Sequence, residues 1–281
     1  MKRLPTLTVK RIPSLPKFWD WCLEHLLTNP TRHLKEIMAL FRRIGVTKKS
    51  KMLDVSVGTG FLAIDLLGLG YDLATADYSP GMLRVFREKL RTRHIRHHPA
   101  LARWKDLPKI HEPETFDLLF CRGNSIIYAG GRWLASGQIN PERARRNYRK
   151  TLEIFYALLK PGGHLYIDKF SDREEPGEYP VARMMVGNRT KEIIISIRHV
   201  PKEHRRSAQG LTRDMTTGKT TVFLPDANYL LRETELVKLL KRVGFKSVRK
   251  LHLTSEEVLM CGWPGSSGTG IQPAFELQYG A

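Results

Sequence analysis

The stretch "LDVSVGTGFLAIDL", residues 53–66, decides how the chain is read. An apolar run ends in two glycines, and apolar residues then resume at helical spacing. Such a pattern predicts a buried strand, a tight turn and a helix. Gly58 and Gly60 in "GTGFLA" fit G-x-G-x-x-A, and Asp77 ends the next apolar run. Glycines let a ligand approach the backbone, the helix start presents free N–H groups, and the acid accepts hydrogen bonds from ribose hydroxyls. A nicotinamide site and a plain tight turn meet the pattern equally well, so it leaves the ligand open.

Working outward, residues 18–45 read as amphipathic helix, with Leu34, Ile37, Met38, Phe41 and Ile44 in register before Gly45. Then come strand 51–57, helix 61–70, strand 72–79, helix 80–93 with Pro80 in its first turn, and strand 116–123. A helix over 141–163, stopped by Pro-Gly-Gly, precedes the strand "HLYIDKF" at 164–170. This alternation predicts an α/β protein with a doubly wound, Rossmann-like parallel sheet. After residue 170 the pattern changes: "EIIISIRHV" and "TTVFLP" read as antiparallel strands, with a turn at "MTTGKTT". Residues 232–245 return to amphipathic helix. The expected organisation is an N-terminal helical cap (1–50), a ligand-binding core (51–170), a small antiparallel insertion forming the substrate region (171–229), closing helix and strands (230–263) and a Gly/Ser-rich tail (264–281).

Composition adds one unusual number, 47 Lys+Arg against 28 Asp+Glu, a formal net charge of +19. Such a field attracts polyanions, anionic lipid surfaces or phosphorylated substrates; the bland alternative is solubility. No apolar stretch is long enough to span a bilayer. The basic N-terminus lacks the apolar run of a signal peptide. Cys22, Cys121 and Cys261 lie far apart without a CxxC pair, and the histidines fall mostly in basic runs, so neither a disulfide framework nor a metal site is expected. A cytoplasmic protein, with membrane association no closer than peripheral, is the expectation.

Three features narrow the ligand. Asp54 sits inside the first strand, where a carboxylate repels pyrophosphate but suits the amino group or sulfonium of S-adenosylmethionine. "FDLLFCRGNS" carries a Gly-Asn-Ser turn at the end of its strand, where ligands bind in such sheets. "LLKPGGHLYI" then supplies a helix, turn and strand in the arrangement of class I methyltransferases.

On these residues the chain resembles the class I S-adenosylmethionine-dependent methyltransferases, and within them the glycine/sarcosine N-methyltransferase group, from about residue 18 to 170. "LDVSVGTG" and "ATADYSPGML" are general to the class; "RHIRHHPALARWKDL" and "CRGNSIIY" are more specific. The resemblance implies that Arg32, 22 residues before Asp54, binds the donor's carboxylate, the alternative being a solvated helix charge. It implies Asp77 on the ribose, and Ser56, Gly58, Gly60, Tyr78 and Met82 around the donor. Trp104 would pack on the adenine or belong to the core. Asn124 would orient the acceptor, or be a turn asparagine bonding locally.

The chain departs from the group elsewhere. Lys169 follows Asp168, and Phe170 stands where the group has an arginine clamping the glycine carboxylate. Lys169 offers a point charge in its place, without a bidentate fork. Tyr128 replaces a histidine, Arg103 an adenine-side asparagine, and Arg122 an aliphatic residue. The donor half is kept and the acceptor half rebuilt, which disfavours glycine itself.

Methyl transfer is an in-line displacement by an amine lone pair, so alignment supplies most of the rate. Asn124 and Tyr128, with Asp168, are the candidates for holding the amine. The first reading is thus an N-methyltransferase of a small amine or amino acid. A second is an N-methyltransferase of an amine-bearing lipid headgroup at an anionic membrane, supported by Trp19 and Trp21 in "PKFWDWCLEHLL" and the basic charge. The third and lowest is an RNA-binding protein or RNA methyltransferase using "RTRHIRHH" on phosphates. By resemblance the chain would assemble as a homo-oligomer.

Overall fold

The structure is a computed structural model that describes residues 4, 6–9, 13–25, 30–131, 138–172, 175–224, 227–251 and 274–278. Met52, Leu53 and Asp54 are buried because their strand lies mid-sheet. This strand, β2 (Met52–Asp54), pairs in parallel with β3 (Leu73–Asp77) on one side and β5 (Phe116–Cys121) on the other. Strand β4 (Ala100–Leu101) extends the sheet beyond β3, and β6 (Leu159–Asp168) extends it beyond β5, all in parallel. Strand β13 (Ala274–Gln278) runs antiparallel between β6 and β12 (Ser247–Leu251), completing seven strands in the order β12-β13-β6-β5-β2-β3-β4. The chain first winds outward through β3 and β4, then crosses back to β5. The strand order therefore switches between β2 and β5, and a crevice opens at their C-terminal ends.

Helices cover both faces. On one, Ile37 and Phe41 of α2 (Pro30–Ile44), Leu66 of α3 (Ala63–Gly68) and Phe86 of α4 (Pro80–Thr92) share an apolar cluster. On the other lie Tyr148 and Phe155 of α5 (Pro141–Leu158) and Leu240 of α6 (Glu233–Val243). Helix α4 starts where expected: Ser79 Oγ accepts the N–H of Met82, and Pro80 fills the first turn, where no N–H is needed.

Two expectations change here. The helix expected over 141–163 ends at Leu158, and Pro-Gly-Gly lies inside β6. A residue before proline avoids the helical region, so Leu159 and Lys160 are already extended. A Cβ on Gly163 would lie 2.9 Å from the carbonyl oxygen of Lys160 and 3.0 Å from that of Phe116, so glycine is what lets β6 approach β5 there. The tail expected from residue 264 contains β13, which pairs over five residues with each neighbour. Residues 252–263, expected to hold closing strand, lie outside the described residues.

The segment after β6 is larger than an insertion of two strands. Strands β7 (Gly177–Val186), β8 (Arg189–Val200), β9 (Arg205–Asp214) and β10 (Thr220–Leu224) form an antiparallel run. The N-terminal β1 (Thr6–Val9) joins β7 in parallel, and β11 (Ala227–Tyr229) pairs with β9. The turn at 214–219 forms as expected, with Asp214 Oδ1 accepting the N–H groups of Thr216 and Thr217. Helix α1 (Leu15–His25) lays Phe18 and Cys22 on this sheet against Val181 and Ile193. Trp21 stacks beside Phe18, their ring centroids 6.2 Å apart, and Lys89 bonds Asp20 to hold α1 on α4. Trp21 is half-buried there. No helix among the described residues is long and apolar enough to cross a membrane.

Candidate active site

Three carboxylates end three strands at the crevice: Asp54 on β2, Asp77 on β3 and Asp168 on β6. Each binds backbone N–H groups of a turn. Asp54 Oδ1 accepts the N–H of Ser56 at 3.0 Å. Asp77 spans two turns, accepting the N–H of Gly58 at 2.9 Å and that of Ser79 at 2.8 Å. Asp168 accepts the N–H of Gly123 at 3.0 Å and of Asn124 at 2.6 Å. Gly123 and Asn124 have φ of +67° and +60°, so a pair of left-handed residues is fixed by one acid. Ser56 ties the β2 and β5 turns together: its Oγ accepts the N–H of Arg122 at 3.0 Å and donates to the carbonyl of Arg122 at 3.2 Å.

Burial raises the pKa of all three acids. Desolvation pushes Asp54 up to about 6, opposed chiefly by the nearby Arg122 guanidinium. Asp168 is raised by burial and pulled back by Arg122 and its two N–H donors, while Asp77 is raised by burial against N–H donors alone. Arg122, itself buried, donates to Nε2 of His33 and to the carbonyl of Phe61. Burial, with Arg122 adding to it, holds His33 well below its ordinary value; the ring is neutral and can accept from the guanidinium.

The residues fit a donor with an amino acid end and a ribose. A Cβ on Gly123 would meet nothing within 4 Å, and one on Gly58, where φ is +55°, would meet only the Ser56 carbonyl oxygen at 3.9 Å. Both turns thus face open space. Thr59, 1% exposed, keeps a hydroxyl with no hydrogen-bond partner among the described residues. Gly60 differs, because a Cβ there would lie 2.1 Å from the Phe86 ring. The first glycine opens the turn to a ligand and the second lets α4 pack.

The residues expected from the sequence fall in several groups. Asp54, Ser56, Gly58, Asp77, Arg122 and Asn124 come together at the crevice. Tyr78, half exposed, and Met82, half buried, flank it beyond Asp77. Arg32 does not turn inward: its side chain is exposed and pairs with Glu36 at 3.4 Å. His33, four residues before Ile37 and eight before Phe41, occupies the buried stripe of α2, and Arg32 lies one residue off it. Trp104 donates its indole N–H to the Val55 carbonyl at 2.7 Å and meets Phe155 edge-on, the contacts of the core alternative. Arg103 is exposed just before it, and Tyr128 is 41% exposed beyond the Asn124 turn. Lys169 is buried and donates to the Phe170 carbonyl at 2.6 Å and to Asp172 at 2.7 Å. Sequence reasoning missed His33, Thr59 and Arg206, whose guanidinium carbon lies 3.4 Å from the Phe170 ring centroid. Of these, only His33 left a trace, its place in the helical stripe.

Residues 52–163, from β2 into β6, match the family model described as methyltransferase domain. The fold is shared: a S-adenosylmethionine-dependent methyltransferase from Clostridium acetobutylicum ATCC 824 superposes with a TM-score of 0.68, covering 94% of this chain and 98% of that one at 14% identity. Residues 52–163 form a methyltransferase domain. The chain is 39% identical over 118 residues to the glycine/sarcosine N-methyltransferase of Parasynechococcus marenigrum (strain WH8102), 42% of this chain and 36% of that protein. The chain thus spans about a third of that relative's length. A sugar N-methyltransferase, KedS8, from Streptoalloteichus sp ATCC 53650 shares the fold with a TM-score of 0.61 at 16% identity, over 97% of this chain and 96% of that one.

Proposed function

We propose that the chain transfers a methyl group from S-adenosylmethionine to the amine of a small molecule or amino acid. The observation that carries this reading is the open pair of turns at Gly58 and Gly123, walled by the buried carboxylates of Asp54 and Asp77. When bound, S-adenosylmethionine supplies an electrophilic methyl on a sulfonium. Asp77 holds the ribose hydroxyls, and Asp54 draws the cationic amino end of the donor. Arg122 takes the donor carboxylate in place of Arg32, because its guanidinium is buried beside Asp54 and held by His33. Tyr78 and Met82 flank the adenine.

Asn124, kept in its left-handed turn by Asp168, orients the amine, with Tyr128 on the exposed side. The rate then comes from alignment, for which effective molarities of about 10⁵ M or more are attainable. The N-methyltransferase names of the similar proteins support an amine as acceptor. Phe170, in the place where the resembling group carries its carboxylate clamp, argues against glycine.

The test is methyl-labelled S-adenosylmethionine incubated with the protein and a cell extract, then partitioned between phases. Label in small aqueous molecules is expected. Label in the organic phase would make the acceptor a lipid, and label confined to macromolecules would overturn the reading.

A further inference from the structure

Helix α5 buries a stripe of Ala144, Tyr148, Leu152 and Phe155 at three- and four-residue spacing. Tyr148 brings a hydroxyl into that stripe, and a buried hydroxyl needs a partner. It donates to the carbonyl of Ile127 at 2.9 Å. Asn147, one residue earlier, donates its Nδ2–H to the carbonyl of Gly130 at 3.1 Å. Both carbonyls belong to the 3₁₀ turn Ser125–Gly130, which Asn124 leads into and which carries Tyr128. We propose that Asn147 and Tyr148 are positioning residues for the acceptor amine, fixing from α5 the turn on which Asn124 and Tyr128 stand. This rests on the methyl transfer proposed above.

The segment is held from both ends. Asp168 takes the N–H groups of Gly123 and Asn124 where the chain leaves β5. Asn124 has φ of +60°, a conformation that costs a side chain with a Cβ and persists only where its surroundings impose it. Within the turn, the N–H of Ile127 bonds the Asn124 carbonyl at 3.1 Å and that of Gly131 bonds the Tyr128 carbonyl at 3.1 Å. These bonds move with the turn and do not tie it to the rest of the molecule. Ile126 packs in the core, but apolar burial has no direction and leaves the rotation of the turn unset. The two donors from α5 set it. Tyr128 lies between the two held carbonyls, so its direction follows from the same contacts.

The contact is close by construction. A Cβ on Gly130 would lie 2.7 Å from the Tyr148 ring, so glycine is what lets the turn rest against α5. The holding stretch of α5 is itself fixed: Arg145 Nε donates to Glu235 Oε1 of α6 at 2.6 Å, and Tyr229 Oη of β11 donates to the same oxygen at 2.9 Å. The acceptor side is thereby tied to α5, β11 and α6. The donor turns hang elsewhere, the N–H groups of Gly58 and Ser79 both bonding Asp77. Separate supports mean that loosening the α5 contacts disturbs alignment of the amine and spares donor binding. A misplacement of about 1 Å in aligned groups costs on the order of 100-fold in rate.

The experiment uses Tyr148→Phe, which keeps the ring and removes the donor, with Asn147→Ala as the second variant should the first not fold. Label from S-adenosylmethionine is followed into the aqueous small-molecule fraction of the extract, well below each variant's melting temperature. Donor and fraction are varied separately, and donor Kd is measured by calorimetry. The maximal rate is expected to fall at least fivefold, with donor Kd within twofold of wild type. A smaller fall in rate in the folded variants, or a donor affinity weakened more than twofold, would overturn the positioning role. Hydrogen–deuterium exchange supplies a readout that a general loss of stability would not reproduce. Exchange should quicken over residues 123–131 and stay unchanged at Gly58 and Ser79. Uniform quickening across the sheet would make the pair ordinary core contacts and overturn the proposal. Absence of label transfer by the wild type would instead overturn the methyl-transfer reading, and the exchange pattern would then decide whether the pair holds the turn.

Discussion

Arg122 donates a hydrogen bond to Nε2 of His33, joining the turn after β5 to a helix 89 residues earlier in the chain. The same guanidinium lowers the pKa of both Asp54 and Asp168. One cation therefore opposes the effect of burial on two crevice carboxylates, and in the proposed function it also offers its charge to the donor. Arg122→Met should weaken donor affinity at least tenfold, about 1.4 kcal/mol, measured by titration calorimetry. His33→Gln retains a side-chain acceptor for the guanidinium and should bind near wild type, whereas His33→Leu should weaken binding severalfold. Equal affinities for the Gln and Leu variants would remove His33 from the site.

The buried acid at the end of β2 makes both binding and stability depend on pH. The folded chain holds the proton of Asp54 up to about pH 6, while the unfolded value is about 3.9. Stability from the protonated form is complete below the lower value and lost as pH rises through the higher. The difference is worth about 3 kcal/mol. Asp54→Asn should melt higher than wild type at pH 8 and alike near pH 4. In the wild type, donor affinity should fall as pH drops through 6, because a neutral Asp54 no longer attracts a cation. Asp77 and Asp168 are also raised by burial. If the step near 6 persisted in the residual binding of Asp54→Asn, one of these would be its source.

Gly60 and Gly123 both have left-handed backbone, but for different reasons. A Cβ on Gly60 lands 2.1 Å from the ring of Phe86, which is fully buried and closed in by the core. Gly60→Ala should cost about 2–5 kcal/mol, combining overpacking with positive-φ strain. Gly123→Ala meets open space, so only the strain of about 1–2 kcal/mol applies, while its methyl enters the donor crevice. Denaturant titration should separate the two in stability, and donor affinity should fall in folded Gly123→Ala. Unchanged affinity there would mean that the donor does not approach this turn.

What the sequence made legible follows from where burial comes from. Strands β2, β3 and β5 are covered on both faces and read as continuous apolar runs. The turns ending them carry their chemistry locally, so Asp54, Asp77 and Asn124 could be found within a few residues of a glycine. Strand β9, "RRSAQGLTRD", buries Arg205, Arg206, Ser207 and Thr212, and no apolar alternation marks it. Pro180 interrupts β7 at a register shift. Strand β13 lies in a Gly-rich region and is ordered by partners more than a hundred residues away on one side. The meeting of Arg206 with Phe170 depends on the packing of one sheet against the other, which no local spacing encodes. Arg32 lies off the buried stripe of α2 for a simpler reason: one residue along a helix turns a side chain by about 100°.

Trp104 separates a core role from a ligand role within one side chain. Its indole N–H donates to the carbonyl of Val55, a 1% exposed residue that follows β2, and its ring meets Phe155 at a centroid distance of 5.6 Å. Trp104→Phe keeps an aromatic ring against Phe155 and removes the donor from a buried carbonyl, a change that costs about 1–3 kcal/mol. Stability by denaturant titration should fall by that amount, and donor affinity, measured on the folded variant, should stay within about threefold of wild type. A variant of unchanged stability that binds the donor tenfold more weakly would place the indole on the adenine instead. In that case the hydrogen bond to Val55 would have to be replaced when the donor enters, and β2 would move with it.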